Sequence, residues 1–205
     1  MDRKKIVITG IGALAPNGNS VNQFWSNLSS GVSGIKPITY FDSSNHKVKI
    51  AGQLSDFKSD RILDPKEVRK LDDFSIYAIA ASLEAVHMSG LDLEKINLDR
   101  AGVTIGTGVG GIQTLEEQHN VIENRGARRV SPQFVPRMIA NIAGGHLSMR
   151  FGFQGPNQTV TSACASATDA IGIAMRLIIS GDADVMITGG TEANDDASSM
   201  GESGY

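Results

Sequence analysis

An α/β fold, with a mostly parallel mixed sheet covered by helices on both faces, is what the alternation of strand-like and helix-like segments along the chain predicts. Two further observations fit it. Glycine is abundant (23 of 205 residues), and it stands repeatedly where β-branched runs end. Such glycines allow tight strand-to-helix turns and close packing of small-residue helices.

The elements follow in order. Ile6, Val7, Ile8 and Thr9 form a β-branched run closed by Gly10 and Gly12, which reads as a buried strand over residues 6–12. Ser20 is a fitting N-cap for a helix over 21–28, with Gly31 near its stop. Residues 33–63 are polar and turn-rich, a surface excursion with a short strand expected over 47–51. Phe74, Tyr77, Ala78, Ala81, Ala85 and Met88 recur near helical spacing, so a helix is expected over 70–88, ended by Gly90. A second buried strand spans 101–106, then glycines and a helix over 112–122. Past a loop holding Arg128, Arg129, Pro132 and Pro136, the pattern predicts a helix over about 138–150, a strand over 158–162, a helix over 164–180 and a strand over 183–188. Residues 194–205 are polar, acidic and rich in glycine and serine, without any period. They read as a disordered tail, leaving 1–193 as the folded unit.

Composition narrows the function classes. The net charge is -3 and the basic residues are scattered, which disfavours nucleic acid as a partner. A single cysteine excludes an intramolecular disulfide and points to a reducing, cytoplasmic setting. The start, Met1, Asp2 and Arg3 followed by a short apolar run, lacks the pattern of a signal peptide. No run approaches roughly 18 consecutive apolar residues, so no membrane span is expected. His46, His87, His119 and His146 show no metal-ligand spacing with each other or with the cysteine, and neither metal nor cofactor is expected.

That cysteine, Cys164, stands where a β-prone run, Val160, Thr161 and Ser162, gives way to a helix rich in small residues. A thiol at a helix mouth faces free backbone N–H groups and the positive end of the helix dipole, both of which favour a thiolate. A sharp turn also presents the side chain out of the sheet. A lone cysteine is often an inert core residue, however, and residue chemistry alone leaves both readings open. Two glycine patterns invite a dinucleotide reading. Gly10, Gly12 and Ala15 lead into Pro16 and Asn17 instead of a helix. Gly106, Gly108 and Gly111 have the right context, but Arg128 and Arg129 stand about 20 residues on, where an acidic residue is expected.

The segment from Val160 to Ala167 around Cys164, and the run Gly181, Asp182, Ala183, Asp184 on to Gly189, Gly190, Thr191 and Glu192, closely resemble the active-site region of β-ketoacyl-acyl-carrier-protein synthases of the thiolase-like superfamily, most of all the synthase II group. Supporting stretches are Ile8 to Gly12, Gly106 to Gly111, and Ser131 to Pro136 followed by Gly145 and His146. The resemblance implies the N-terminal half of a duplicated fold of five layers. It assigns Cys164 as the nucleophile that takes an acyl chain from acyl carrier protein as a thioester before decarboxylative condensation with malonyl carrier protein. Ile112, Leu115 and Phe134 match positions lining the acyl pocket, Phe134 in a segment that reaches across a homodimer interface. Lys66, Arg69, Lys70, Arg128 and Arg129 match the basic patch that docks the acidic carrier. Two histidines, a lysine and a glycine-rich gating loop belong to the family's second half, so these 205 residues alone are expected to lack condensation. The alternatives are a non-catalytic partner of the chain-length-factor type, which typically lacks the cysteine, and a nucleotide-binding oxidoreductase.

Overall fold

The computed structural model describes residues 5–193. Its central element is a three-stranded sheet in the order β4-β3-β5, formed by β3 (Ala101–Gly106), β4 (Asn157–Val160) and β5 (Val185–Gly190). Both pairings are parallel, with Ile105 opposite Thr159 on one side and Val103 opposite Ile187 on the other. A separate antiparallel pair, β1 (Ile35–Pro37) and β2 (Ile50–Gly52), braces the surface excursion. The antiparallel part of the expected mixed sheet is therefore a detached ribbon.

Helices are α1 (Val21–Ser29), α2 (Pro65–Val68), α3 (Asp73–Ser89), α4 (Ile112–Arg125), α5 (Phe134–Met138), α6 (Ile142–Phe151) and α7 (Ser166–Ser180). Local chemistry sets several of their ends. The Ser20 hydroxyl accepts from the Gln23 N–H at 3.3 Å, the capping bond expected of it. Gly90, Gly152 and Gly181 follow α3, α6 and α7 in the left-handed region that glycine adopts without strain.

Side-chain alternation divides the strands between two layers. Val103 and Ile105 join Phe74, Ile79, Ala143 and Leu147 in one apolar core beneath α3 and α6. The opposite face, carrying Gly102, Thr104, Gly106, Thr188 and Gly190, receives α7. A Cβ at Gly106 would stand 2.3 Å from the Ser166 carbonyl carbon, and one at Gly190 would stand 2.6 Å from the Ala167 Cβ. Glycine at the strand ends is thus required by the close approach of α7.

Three expectations are corrected. Residues 6–12 form no ladder, and Val7, Ile8 and Ile11 are exposed. A strand needs a hydrogen-bonding neighbour, and this run finds none among the described residues; it is instead laid on α3, where a Cβ at Gly12 would stand 1.8 Å from the Ala81 carbonyl oxygen. The helix expected over 138–150 is divided into α5 and α6 by an extended Ile139, and Pro136 lies inside α5. The helix expected from Cys164 begins instead at Ser166, after a 3₁₀ turn over Ala163–Ala165. With that turn, Ala163–Ser180 is the one stretch among the described residues long and apolar enough to cross a membrane by length and composition, at 18 residues and mean hydropathy 1.4. It is not an uninterrupted apolar run, since Asp169 and Arg176 lie within it. Here it packs on β3, β4 and β5. The tail over 194–205 lies outside the described residues.

Candidate active site

Cys164 occupies the turn between β4 and α7, and its residue is exposed to solvent. The turn is sharp because Ala163 adopts φ +51°, a left-handed conformation that a residue with a Cβ rarely takes. Such a geometry costs on the order of 1–3 kcal/mol and persists only where neighbours hold it. Here they do. The Ser166 hydroxyl accepts from the Ser162 N–H at 2.9 Å and lies 2.7 Å from the Ala163 carbonyl oxygen, to which it donates. The Ser162 hydroxyl in turn donates to the Asp169 carboxylate one turn into α7.

The loop after β3 lies beside this turn, its Thr107 carbonyl 3.3 Å from the Ser166 hydroxyl. Glu192, just beyond β5, accepts from the Gly108 N–H at 2.5 Å and from the Thr107 hydroxyl at 3.3 Å. Thr107 also accepts from the Gly110 N–H at 3.1 Å. Asp72, buried at the N-terminus of α3, accepts from the Thr114 hydroxyl at 2.6 Å and the Thr114 N–H at 3.0 Å. The amides that a diphosphate would need in the Gly106, Gly108, Gly111 motif are thus already engaged within the chain, Gly108 by the Glu192 carboxylate, Gly110 by the Thr107 hydroxyl and Gly111 by the Met138 carbonyl. That arrangement repels a second anion, and the nucleotide reading loses its physical basis.

The residues expected to line an acyl pocket lie on two helices that pack together. Ile112 opens α4 and is half-buried, Leu115 is 40% exposed one turn on, and Phe134 opens α5, half-buried. The Gly111 N–H donates to the Met138 carbonyl at 2.9 Å, tying the start of α4 to the end of α5. Lys66 on α2, Arg69 at its C-cap and the following Lys70 are exposed, as are Arg128 and Arg129 in the 3₁₀ turn Ala127–Arg129. The two basic groups sit on separate elements.

Of the histidines, His146 on α6 has its pKa lowered, chiefly by burial, with Arg150 adding to the effect and Glu67 opposing it. No group of three or more possible metal ligands occurs among the described residues. A cavity of about 200 Å³ lined by Tyr40, Leu54, Phe57, Ser59, Asp73 and Tyr77 contains none of the residues assigned to acyl chemistry. Sequence reasoning missed Asp72, Thr107 and Ser166 as organisers of the site. Thr107, Ser166 and Glu192 lie inside motifs visible in the sequence and Asp72 does not, and nothing in spacing shows that Glu192 reaches back across 84 residues to Gly108.

Comparison with known proteins agrees with this geometry. The chain is 47% identical over 190 residues to 3-oxoacyl-[acyl-carrier-protein] synthase 2 of Staphylococcus aureus (strain COL), covering 93% of this chain and 46% of the relative. It is 42% identical over 193 residues to the enzyme of the same name from Synechocystis sp., again covering 46% of it. The chain therefore spans about half the length of the curated relatives it matches. Among solved structures, a type II PKS acyl carrier protein in complex with its ketosynthase matches with a TM-score of 0.84 at 28% identity, covering 96% of this chain and 54% of that one. The ishigamide ketosynthase/chain length factor matches with a TM-score of 0.84 at 27% identity, covering 93% of this chain and 48% of that one. The Beta-ketoacyl synthase, N-terminal domain family matches residues 3–202, and the chain belongs to that family.

Proposed function

We propose that this chain carries the acyl-accepting half of a 3-oxoacyl-acyl-carrier-protein synthase of fatty-acid elongation, with Cys164 as the nucleophile. The observation that carries the reading is the exposed Cys164 on a strained strand-to-helix turn, held by its neighbours and placed just before the N-terminus of α7. The Cys164 sulfur attacks the thioester carbonyl of acyl carrier protein and forms a new carbon–sulfur bond. The bond to the carrier's sulfur breaks, and that thiolate leaves to take up the proton. The Cys164 N–H supplies one donor to the developing oxyanion.

Ile112, Leu115 and Phe134 line the acyl chain, and Lys66, Arg69, Lys70, Arg128 and Arg129 meet the acidic carrier. Identity of 47% to the fatty-acid synthase relative, against 28% to the polyketide ketosynthase, favours the fatty-acid assignment. A cytoplasmic setting and a homodimer of the complete enzyme accord with this reading. Decarboxylation of malonyl carrier protein requires the second half, which would cover Ile171, Met175 and Ile179 on the outer side of α7. A chain-length-factor role is disfavoured by the presence of Cys164.

Intact-mass analysis after incubation with acyl carrier protein thioester tests the proposal. One acyl adduct is expected on the wild-type chain and none on Cys164→Ala, with no condensation product from either. An adduct that survives Cys164→Ala, or none on the wild type, defeats the assignment.

A further inference from the structure

We propose that Ser166 is a positioning residue for Cys164, an inference that rests on the acyl-acceptor reading. Its hydroxyl bonds the backbone on both sides of the kink. It accepts the Ser162 N–H at 2.9 Å and approaches the Ala163 carbonyl at 2.7 Å, with the Thr107 carbonyl a longer alternative at 3.3 Å. A hydroxyl has one proton to give, so the shorter contact to Ala163 takes it. Ser166 is 4% exposed, and water does not readily replace either bond.

The consequence is geometric. Ala163 precedes Cys164 and holds φ +51°, so any relaxation of that residue redirects both the Cys164 side chain and its N–H. Removing the hydroxyl leaves the Ser162 N–H and Ala163 C=O without the group that links them. The apolar core is untouched, because none of these atoms belongs to it. Attack on a thioester needs the sulfur and the Cys164 N–H aligned together, whereas alkylation by a small electrophile needs the sulfur alone. Loss of Ser166 should therefore separate the two reactions.

The experiment compares transfer of an acyl group from acyl carrier protein with alkylation by iodoacetamide, both read at Cys164 by mass spectrometry, in wild type, Ser166→Ala, Ser166→Thr and Ser166→Val. Thermal melts accompany each. Ser166→Ala should lose about tenfold in acyl transfer and less than about threefold in alkylation. Ser166→Thr, which keeps the hydroxyl, should recover acyl transfer, while Ser166→Val, of the same shape without it, should not. Wild-type acyl transfer in Ser166→Ala, equal loss in both reactions, or equal behaviour of the Thr and Val variants overturns the proposal. A wild-type chain that is alkylated but never acylated overturns the parent reading, and the inference with it.

Discussion

Helices α3 and α7 are the two long apolar helices that flank the sheet, and they are treated in opposite ways. α3 buries Phe74, Ser75, Ile76, Ala78, Ile79 and Ser82, covering much of its circumference. It is overlaid by the 5–13 segment as well: Glu84 accepts from the Ala13 N–H at 3.0 Å and the Val21 N–H at 2.9 Å. α7 buries only Ser166, Ala170 and Ala174, a row of small side chains pressed on the glycines and threonines of β3 and β5. Its larger apolar residues Ile171, Met175 and Ile179 are about half exposed. Ala174 therefore faces the sheet, Ile178 is half-buried, and Ile171 and Met175 face out with Ile179. The small face meets this chain's own sheet; the large face is left open among the described residues. This open apolar stripe is the surface that the proposed second half would cover.

The largest test of that contrast is Phe74→Ala. Phe74 is 0% exposed in the core under the sheet, and its truncation should cost about 3–5 kcal/mol, lowering Tm by roughly 10 °C or more. A loss near zero would mean that α3 is no better packed than α7.

A smaller effect is expected at the first turn of α3. Asp73 has its pKa raised, first by burial and then by the neighbouring Asp72, against the pull of Arg137. The folded chain holds that proton more tightly than the unfolded chain, so stability falls as pH rises above the usual carboxylate range. Asp73→Asn should raise Tm at pH 7 by about 2 °C, and the gain should shrink as pH falls through the ordinary aspartate value and vanish below it, where the carboxyl is protonated in both states. Thermal melts across that range check the sign, which a gain persisting at low pH would contradict.

The smallest effect belongs to α7. Met175→Lys should change the stability of this chain by no more than about 0.5 kcal/mol while reducing its self-association in sedimentation. A fall of several degrees in Tm would show that the outer face of α7 is covered after all.

Much of this molecule was legible from its residues, and the illegible parts share one cause. The strand over 101–106, the Ser20 cap, the Gly90 stop and the strand-to-helix setting of Cys164 depend on contacts near in sequence, which local chemistry determines. The family membership likewise rested on a contiguous signature around Cys164. Non-local pairing was decided only in three dimensions. Residues 6–12 have a strand's composition but take no place in a ladder, because pairing requires a neighbouring edge as well as a propensity. Glu192 holds the glycine loop and Asp72 the first turn of α4 from 84 and 42 residues away, distances across which no spacing rule speaks. Local sequence determined which thiol stands at a helix mouth; the packing of α7 on glycine strand ends decided how that mouth is kinked and what holds it there, because steric fit and hydrogen-bond reach exist only between elements already brought together.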